Sequence, residues 1–379
     1  MKSAINTLTD PDDISIDPSK VLWYIRLHPA VNPLWSGIIS AINVAFCCLF
    51  ITLAIKGVLF SYQEDIFFTA ECLQTCSLMI HTIVKISVLF THRTTFLQLL
   101  QEKSNFWKIQ DFSGEIHDEC STIATTVKKM FRCYYFLNFV VCLCFDLQPF
   151  LTGYLPSGCY VPAGSYTYLM VFLWYLSCVV VLGVGGTDTC FCSIATSLVI
   201  QFKLLNHELK NIKPSENEFD TTPRNKVKRL TQYHVFLLSY CEKLNTMFRG
   251  VFLIQFLSAI ASGALSVFIF MQPGAWVNRF KFLLYFLDTT IESAFYCVPL
   301  EFVINAANQI GDSVYESEWC EINDVHLKKS LRLLIAKSQK MMVFSAYGLI
   351  WINLRTFLVI CKTVFSFYTY LNSARSISA

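Results

Sequence analysis

Residues 35–55 read WSGIISAINVAFCCLFITLAI, a run with no charged side chain. About 20 consecutive apolar residues cover the hydrocarbon thickness of a bilayer as an α-helix, so this run predicts a membrane-spanning helix. Runs of the same character follow, and the candidate spans fall at 34–60, 66–90, 131–154, 166–200, 247–271, 282–307 and 341–371. The composition agrees: 54% of the 379 residues are hydrophobic and 33 are Phe. A water-soluble domain with so much apolar surface would have too little polar surface to face solvent. The predicted fold is all-α, a membrane bundle of seven transmembrane helices.

Charge in the gaps orients that bundle. Lys2, Lys20 and Arg26 precede the first span, and Arg93, Lys103, Lys108, Lys128, Lys129 and Arg132 follow the second. Lys203, Lys210, Lys213, Arg224, Lys226, Lys228 and Arg229 follow the fourth, and Lys328, Lys329, Arg332, Lys337 and Lys340 follow the sixth. The alternate gaps hold Arg279, Lys281 and Arg375, with no basic residue in 61–65 or 155–165. Positive charge in short loops marks the cytoplasmic side, which predicts a cytoplasmic N-terminus and an extracellular C-terminus, the reverse of a G-protein-coupled receptor. The first 33 residues carry Asp10, Asp12, Asp13 and Asp17 and lack the apolar core and small-residue site of a cleaved signal peptide. The run at 35–55 is expected to act as an uncleaved insertion signal.

Two gaps are more than loops. Between Thr91 and Lys129, Phe96, Leu97, Leu99, Leu100, Phe106, Trp107 and Ile109 interleave with charge, a pattern that suits the second and third spans running on as helices. Residues 204–238 do the same on either side of Lys213-Pro214-Ser215-Glu216-Asn217-Glu218, where the Pro stops a helix. Helices projecting on the cytoplasmic side would form an assembly domain.

Ionisable residues within spans are Glu71, Asp146, Asp188, Asp288, Glu292, Glu301, Arg355 and Lys362. Each costs ~2.5 to 3.5 kcal/mol at the bilayer centre, which leaves two readings, helix-to-helix hydrogen bonding or function. Arg355 and Lys362 are seven apart, so they share a face that must avoid lipid. Most of the 16 cysteines lie in apolar runs and read as small buried hydrophobes. Cys159 sits in an external loop without a clear partner, and Cys190-Phe191-Cys192 lacks the second ligand pair of a zinc site. No GxSxG, HExxH or phosphate-binding GxxxxGK[ST] is present. The chain is therefore read as a non-enzyme that needs no cofactor and no nucleic acid. Gly183, Gly185 and Gly186 lie within a span and read as a point of close helix approach. The external ends of the second, third, fourth and sixth spans are aromatic and nearly neutral, which fits either an apolar ligand pocket or packing plus an interfacial aromatic belt.

In the C-terminal third, Tyr296-Cys297, Val314-Tyr315-Glu316-Ser317-Glu318-Trp319, Ser338-Gln339-Lys340, Thr356-Phe357 and Lys362-Thr363-Val364-Phe365-Ser366-Phe367-Tyr368 resemble the insect odorant receptor family. Upstream, Asp188 followed by Gln201-Phe202, and His234 followed by Leu244 and Gln255-Phe256-Leu257, are similar to the same family's fourth and fifth spans. Two departures stand out. Leu300-Glu301-Phe302 follows the Tyr-Cys motif where a Gly and a polar pair are usual, and Arg355 replaces an acidic residue.

The resemblance implies an odorant-gated nonselective cation channel, a tuning subunit in a heterotetramer with the family's co-receptor. It would be opened by a small volatile organic molecule without a G protein, in the plasma membrane of a sensory dendrite. It further implies a pocket in the outer half of the bundle with Phe68, Cys72, Phe145, Gln148, Phe172, Tyr175, Leu176 and Tyr285. Tyr370, Ser373 and Ala374 would face the pore, while Asp188, Tyr315, Trp319, Ser338, Gln339, Lys362 and Ser366 would serve structure or gating. The expected organisation is a cytoplasmic segment 1–33, helices one to four in 34–200 with the pocket, and a cytoplasmic helical extension 201–246. Helices five and six then occupy 247–307, an anchor segment 308–340, and the pore-lining helix with its tail 341–379. A polytopic transporter and a gustatory-type chemoreceptor channel are the alternatives.

Overall fold

The computed structural model describes residues 20–24, 26–61, 66–153, 155, 157–213, 222–272, 276–322, 324–340 and 342–378. The acidic N-terminal residues, the loop 62–65 and the break Pro214–Glu218 lie outside the described residues, as do the side chains of Phe67 and Ala374. A short helix α1 (Val21–Tyr24) precedes α2 (Pro33–Ser61) and α3 (Ile66–Thr91). After α4 (Arg93–Glu102) come α5 (Glu115–Thr152), α6 (Tyr166–Lys210), α7 (Thr222–Met271) and α8 (Trp276–Asn308). Then follow α9 (Ile310–Tyr315), α10 (Val325–Ser338), a two-rung hairpin of β1 (Ser345–Ala346) and β2 (Ile350–Trp351), and α11 (Leu354–Ser378).

Backbone polar groups have no partner in a bilayer core except one another, so apolar runs there must be helical. Among the described residues, five helices are long and apolar enough to cross a membrane: α2, α3, α5, α6 and α7. With α8 and α11 they make a bundle of antiparallel neighbours. One end of the bundle, which we call the basic end, gathers α4, α9, α10 and the hairpin. The 157–165 segment lies at the other end.

Local chemistry sets the helix limits. At α5, Glu115 and Asp118 lie in the first turn, where the helix dipole favours negative charge. Its last turn closes on Gly153, left-handed at φ 73°, whose N–H donates to Pro149 O at 3.0 Å. Asp324 opens α10 by accepting the N–H groups of His326 at 2.8 Å and Leu327 at 3.2 Å. Desolvation is the largest single influence and pushes its carboxyl upward, but these N–H groups together with the nearby Arg224 guanidinium outweigh it and hold the carboxyl below its ordinary value.

Two helices differ from the sequence expectation. The second span does not run on unbroken, because His92 leaves helical geometry at ψ 21° and α4 starts afresh at Arg93. The last span, expected from 341, becomes helical only at Leu354. Before it, Tyr347 and Gly348 both adopt positive φ, 53° and 75°, and turn the chain into the hairpin. That hairpin docks on α7, where the Ser345 N–H donates to Asn245 Oδ1 at 2.9 Å and the Arg249 guanidinium lies over the Tyr347 ring at 4.9 Å. Asn353 then caps α11 by accepting the Thr356 N–H at 2.9 Å.

The largest apolar cluster lies towards the basic end and joins α3, α4, α6, α7, α8 and α10 through residues such as Leu99, Phe202, Tyr240, Phe248 and Leu331. Gly186 permits the close approach expected of it. A Cβ at that position would sit 2.8 Å from Leu22 Cδ2, so the missing side chain is what lets α1 insert against α6.

Candidate ligand site

At mid-height three helices bring charge together. Lys85 of α3 is fully buried and reaches Asp188 of α6 and Glu292 of α8, with Nζ 2.5 Å from each carboxylate. The Tyr296 hydroxyl also donates to Asp188 Oδ1, and the Tyr134 hydroxyl to Asp188 Oδ2 at 3.2 Å. His81, one helical turn before Lys85, places Nε2 3.7 Å from Glu292 Oε1. A buried ion pair of this kind is retained only with good geometry and further hydrogen bonds on its oxygens, and both are present here.

Lys85 and His81 were not among the residues singled out in the sequence. The signal was available, since the second, third, fourth and sixth spans held five carboxylates (Glu71, Asp146, Asp188, Asp288 and Glu292) and a buried carboxylate needs a cation. Lys85 stands inside the run HTIVKISVLF and shares a helix face with His81 by their i, i+4 spacing.

Above this centre lies a cavity of about 30 Å³ lined by Leu78, His81, Tyr134, Asn138, Val180, Val184, Ser258, Ala259, Ser262, Tyr285, Asp288, Thr289 and Glu292. It holds a hydroxyl- or water-sized group and no more. Asn138 donates to Asp288 Oδ1 at 3.3 Å and to Tyr134 O at 3.0 Å.

Of the residues expected at a pocket, Tyr285 lines this cavity, and its ring lies 6.2 Å from that of Phe145. Gln148 is beside them, accepting from the buried Lys281 at 2.8 Å, while Lys281 Nζ sits 4.8 Å over the Phe145 ring. Phe172 and Tyr175 turn elsewhere, towards α2. Phe172 packs edge-on to Phe46 at 5.3 Å, and the Tyr175 hydroxyl donates to Asn43 Oδ1 at 2.7 Å. Leu176 joins their apolar cluster. Cys72 lies against Gly57 and Gly158, next to the buried Cys159. Phe68 is half-buried on α3. The structure therefore divides the eight residues between the α5–α8 side, the α2–α6 side and the outer part of α3.

The remaining residues spread over the molecule. Asp188 is the hub of the ionic centre. Tyr315 and Trp319 pack edge to face at 6.1 Å beyond α8. Ser338 is buried, its hydroxyl bonded to Ile335 O at 2.8 Å, and Gln339 closes α10. On α11, Ile360 and Val364 face the bundle, and a Cβ on Gly263 of α7 would meet Val364 Cγ2 at 3.0 Å. The opposite face is exposed and carries Arg355, Lys362, Ser366, Thr369, Tyr370 and Ser373, interleaved with the exposed Leu358, Val359 and Phe365. Neither Arg355 nor Lys362 has a carboxylate within 4.0 Å among the described residues.

The fold and this buried ionic centre define a polytopic helical membrane protein. Residues 67–365 match the family described as 7tm Odorant receptor, and the chain belongs to that family. Odorant receptor 82a of Drosophila melanogaster is 28% identical over 212 residues, 55% of this chain and 54% of that protein. Odorant receptor 30a of the same fly is 23% identical over 348 residues, 87% of this chain and 82% of that one. The chain thus spans about half the length of the first of these relatives and most of the second. Among solved structures, the olfactory receptor OR5 of Machilis hrabei in complex with eugenol superposes with a TM-score of 0.78 over 89% of both chains at 12% identity. A second structure of the same receptor gives 0.73 over 88% of both chains. At this identity the likeness speaks for the fold alone, and it agrees with the all-α assignment.

Proposed function

We propose that this odorant receptor is a subunit of a ligand-gated, nonselective cation channel, with a cytoplasmic N-terminus, in the plasma membrane of a sensory dendrite. Its pore would be shared with a co-receptor of the same fold in a heterotetramer. The observation that carries the reading is the exposed polar face of α11. Two unpaired cations and a row of hydroxyls on one side of a span are costly against lipid, so this face is expected to meet water in a pore made by several chains. Fixed positive charge on a pore wall opposes cation entry. A partner subunit lacking these cations would lower that barrier, which is consistent with the mixed assembly proposed. Basic α10 and the extensions of α6 and α7 would form the cytoplasmic anchor. Tyr370, Ser373 and Ala374 are proposed at the outer pore, and Asp188, Tyr315, Trp319, Ser338, Gln339, Lys362 and Ser366 as structural or gating positions.

The ligand would be a small volatile organic molecule bound in the outer half of the bundle; the relative solved with eugenol supports that class. Whole-cell current is the test, in cells expressing this chain, the co-receptor, or both, exposed to a broad panel of volatiles. Odorant-evoked current with both chains alone, and altered single-channel conductance in Lys362→Asp, are expected. Silence from chains shown to be at the surface would overturn the channel reading, and unchanged conductance in Lys362→Asp would remove this face of α11 from the pore wall.

A further inference from the structure

We infer that the cavity between α7, α8 and α10 at the basic end binds a phosphorylated polyol, a class shared by lipid headgroups and soluble inositol or sugar phosphates. The site is separate from the outer half of the bundle, and only its placement on the cytoplasmic side rests on the reading above.

The cavity measures about 310 Å³, against about 30 Å³ for the one at mid-height. That is the small end of the range for small-molecule sites, ~300 to 1,000 Å³. His234, Leu238, Glu242 and Asn245 recur along one face of α7 and form one wall. Asn308 at the end of α8, Lys337 of α10 and the following Lys340 and Phe344 face it. The cavity therefore lies where α8 ends and the chain turns towards α11.

Polar groups in the wall lack protein partners. His234 is 2% exposed, yet its ring makes no hydrogen bond among the described residues. A buried polar group in that condition points to an occupant. Burial, with Lys337 nearby, lowers its imidazole to about 4, so the ring is neutral and offers one N–H and one lone pair. Asn245 Oδ1 accepts the Ser345 N–H at 2.9 Å, leaving the amide hydrogens of Asn245 without an acceptor among the described residues. Neither Lys337 nor Lys340 has a carboxylate within 4.0 Å among them.

Charge and shape select the ligand. Two ammonium groups against the one carboxylate of Glu242 leave the wall net positive. Donors on α7, α8 and α10 suit the several oxygens of a phosphate better than the two of a carboxylate. A bare phosphate would fill only part of the space and would face Glu242, which has no cation within 4.0 Å among the described residues. Hydroxyls on the same molecule would donate to that carboxylate, and Leu238 and Phe344 would meet its carbon atoms. A molecule held this way would tie the segment leading into α11 to α7.

The test is binding to the purified full chain in detergent, read by microscale thermophoresis with inositol trisphosphate, inorganic phosphate and myo-inositol. Inositol trisphosphate should bind about tenfold or more tightly than inorganic phosphate, and myo-inositol more weakly than either. Lys337→Gln with Lys340→Gln should weaken inositol trisphosphate by about tenfold or more. Lys328→Gln with Lys329→Gln removes the same charge from α10 outside the cavity wall and should leave binding within about twofold. Glu242→Gln should tighten inorganic phosphate and narrow its gap to inositol trisphosphate. Dioctanoyl phosphatidylinositol bisphosphate identifies the source: binding much tighter than the soluble probe assigns a lipid headgroup, equal binding a soluble phosphate, and either supports the site. Equal losses from the two lysine pairs, or no phosphate binding by a chain whose melting curve shows it folded, overturns the site. An unchanged gap in Glu242→Gln overturns the polyol. None of these readouts uses current, so failure here leaves the channel reading standing, and silence in the current assay leaves this site standing.

Discussion

The two halves of α6 meet different surroundings. From Gly183 to Leu205 almost every side chain is buried, small and polar ones included, and Phe191 lies 4.8 Å from both Phe248 and Tyr296 by ring centroid. In the half before Gly183 only one face is buried, through Leu169, Leu173 and Leu176 in a small cluster with α2, while Tyr168 is 80% and Tyr175 43% exposed. One helix is thus clamped into a dense frame at its basic end and loosely bordered at the other. Close-packed interiors resist deformation, so conformational response to a small ligand belongs to the loose half, and the ionic centre lies at the boundary between the two.

The largest effect is expected at that boundary. Lys85→Met leaves Asp188 and Glu292 buried and facing each other without their cation, a loss of about 3 to 5 kcal/mol. Thermal unfolding of purified protein in detergent should fall sharply, and pairing the change with Asp188→Asn should recover part of the loss, because one of the stranded charges goes with it. A Lys85→Met protein as stable as the parent would mean that the boundary is not held by charge, and the distinction between the halves would lose its hinge.

Next in size is a matched pair of phenylalanines on the same helix. Phe191→Ala removes a fully buried ring from the frame, for which about 3 to 5 kcal/mol is typical. Phe172→Ala removes a half-buried ring against Phe46 and Phe50 and should cost roughly half as much. Comparable melting temperatures for the two variants would break the comparison. Odorant sensitivity should move in the opposite order, with Phe172→Ala changing dose-response curves at unchanged surface expression.

The sequence disclosed the two halves unequally. Apolar runs near bilayer length and the basic gaps announced the spans, because a helix in lipid needs only length and apolarity. Asp188 also stood out, as a charge inside an apolar run. What stayed hidden is pairwise. Neither the contact between Lys85 and Glu292, 207 residues apart in the chain, nor the rotation of Phe172 and Tyr175 towards α2 is written in local composition, since all faces of a membrane helix are apolar. The eight expected pocket residues share a depth, which the limits of the apolar runs indicate, and the structure separates them by rotation, which a helix apolar on all faces does not indicate. The hairpin before α11 was obscured for a related reason. Phe344 and Ile352 are apolar and buried, so the run 341–353 looks like the start of a span, and only the Tyr347-Gly348 turn and the Asn353 cap separate it from one.

The smallest expected effect comes from removing single hydroxyls, and it isolates burial from size. Tyr240 is fully buried and donates to Leu99 O at 2.9 Å, tying α7 to α4. Tyr240→Phe leaves that carbonyl with only the Lys103 N–H where water cannot replace the lost donor, and about 1 kcal/mol should be lost. Tyr175→Phe removes a bond of similar length, 2.7 Å to the buried Asn43, but from a ring that is itself 43% exposed, so a smaller loss, roughly 0.5 kcal/mol, is expected. Both changes delete one oxygen from the same residue type, which leaves the surroundings as the variable. Melting temperatures of the two variants measured side by side therefore read the difference between frame and border directly. An equal shift for both would mean that Asn43 and Tyr175 are held as firmly as the frame, and the search for a ligand-responsive surface would narrow to the cavity lined by Tyr285 and Asp288.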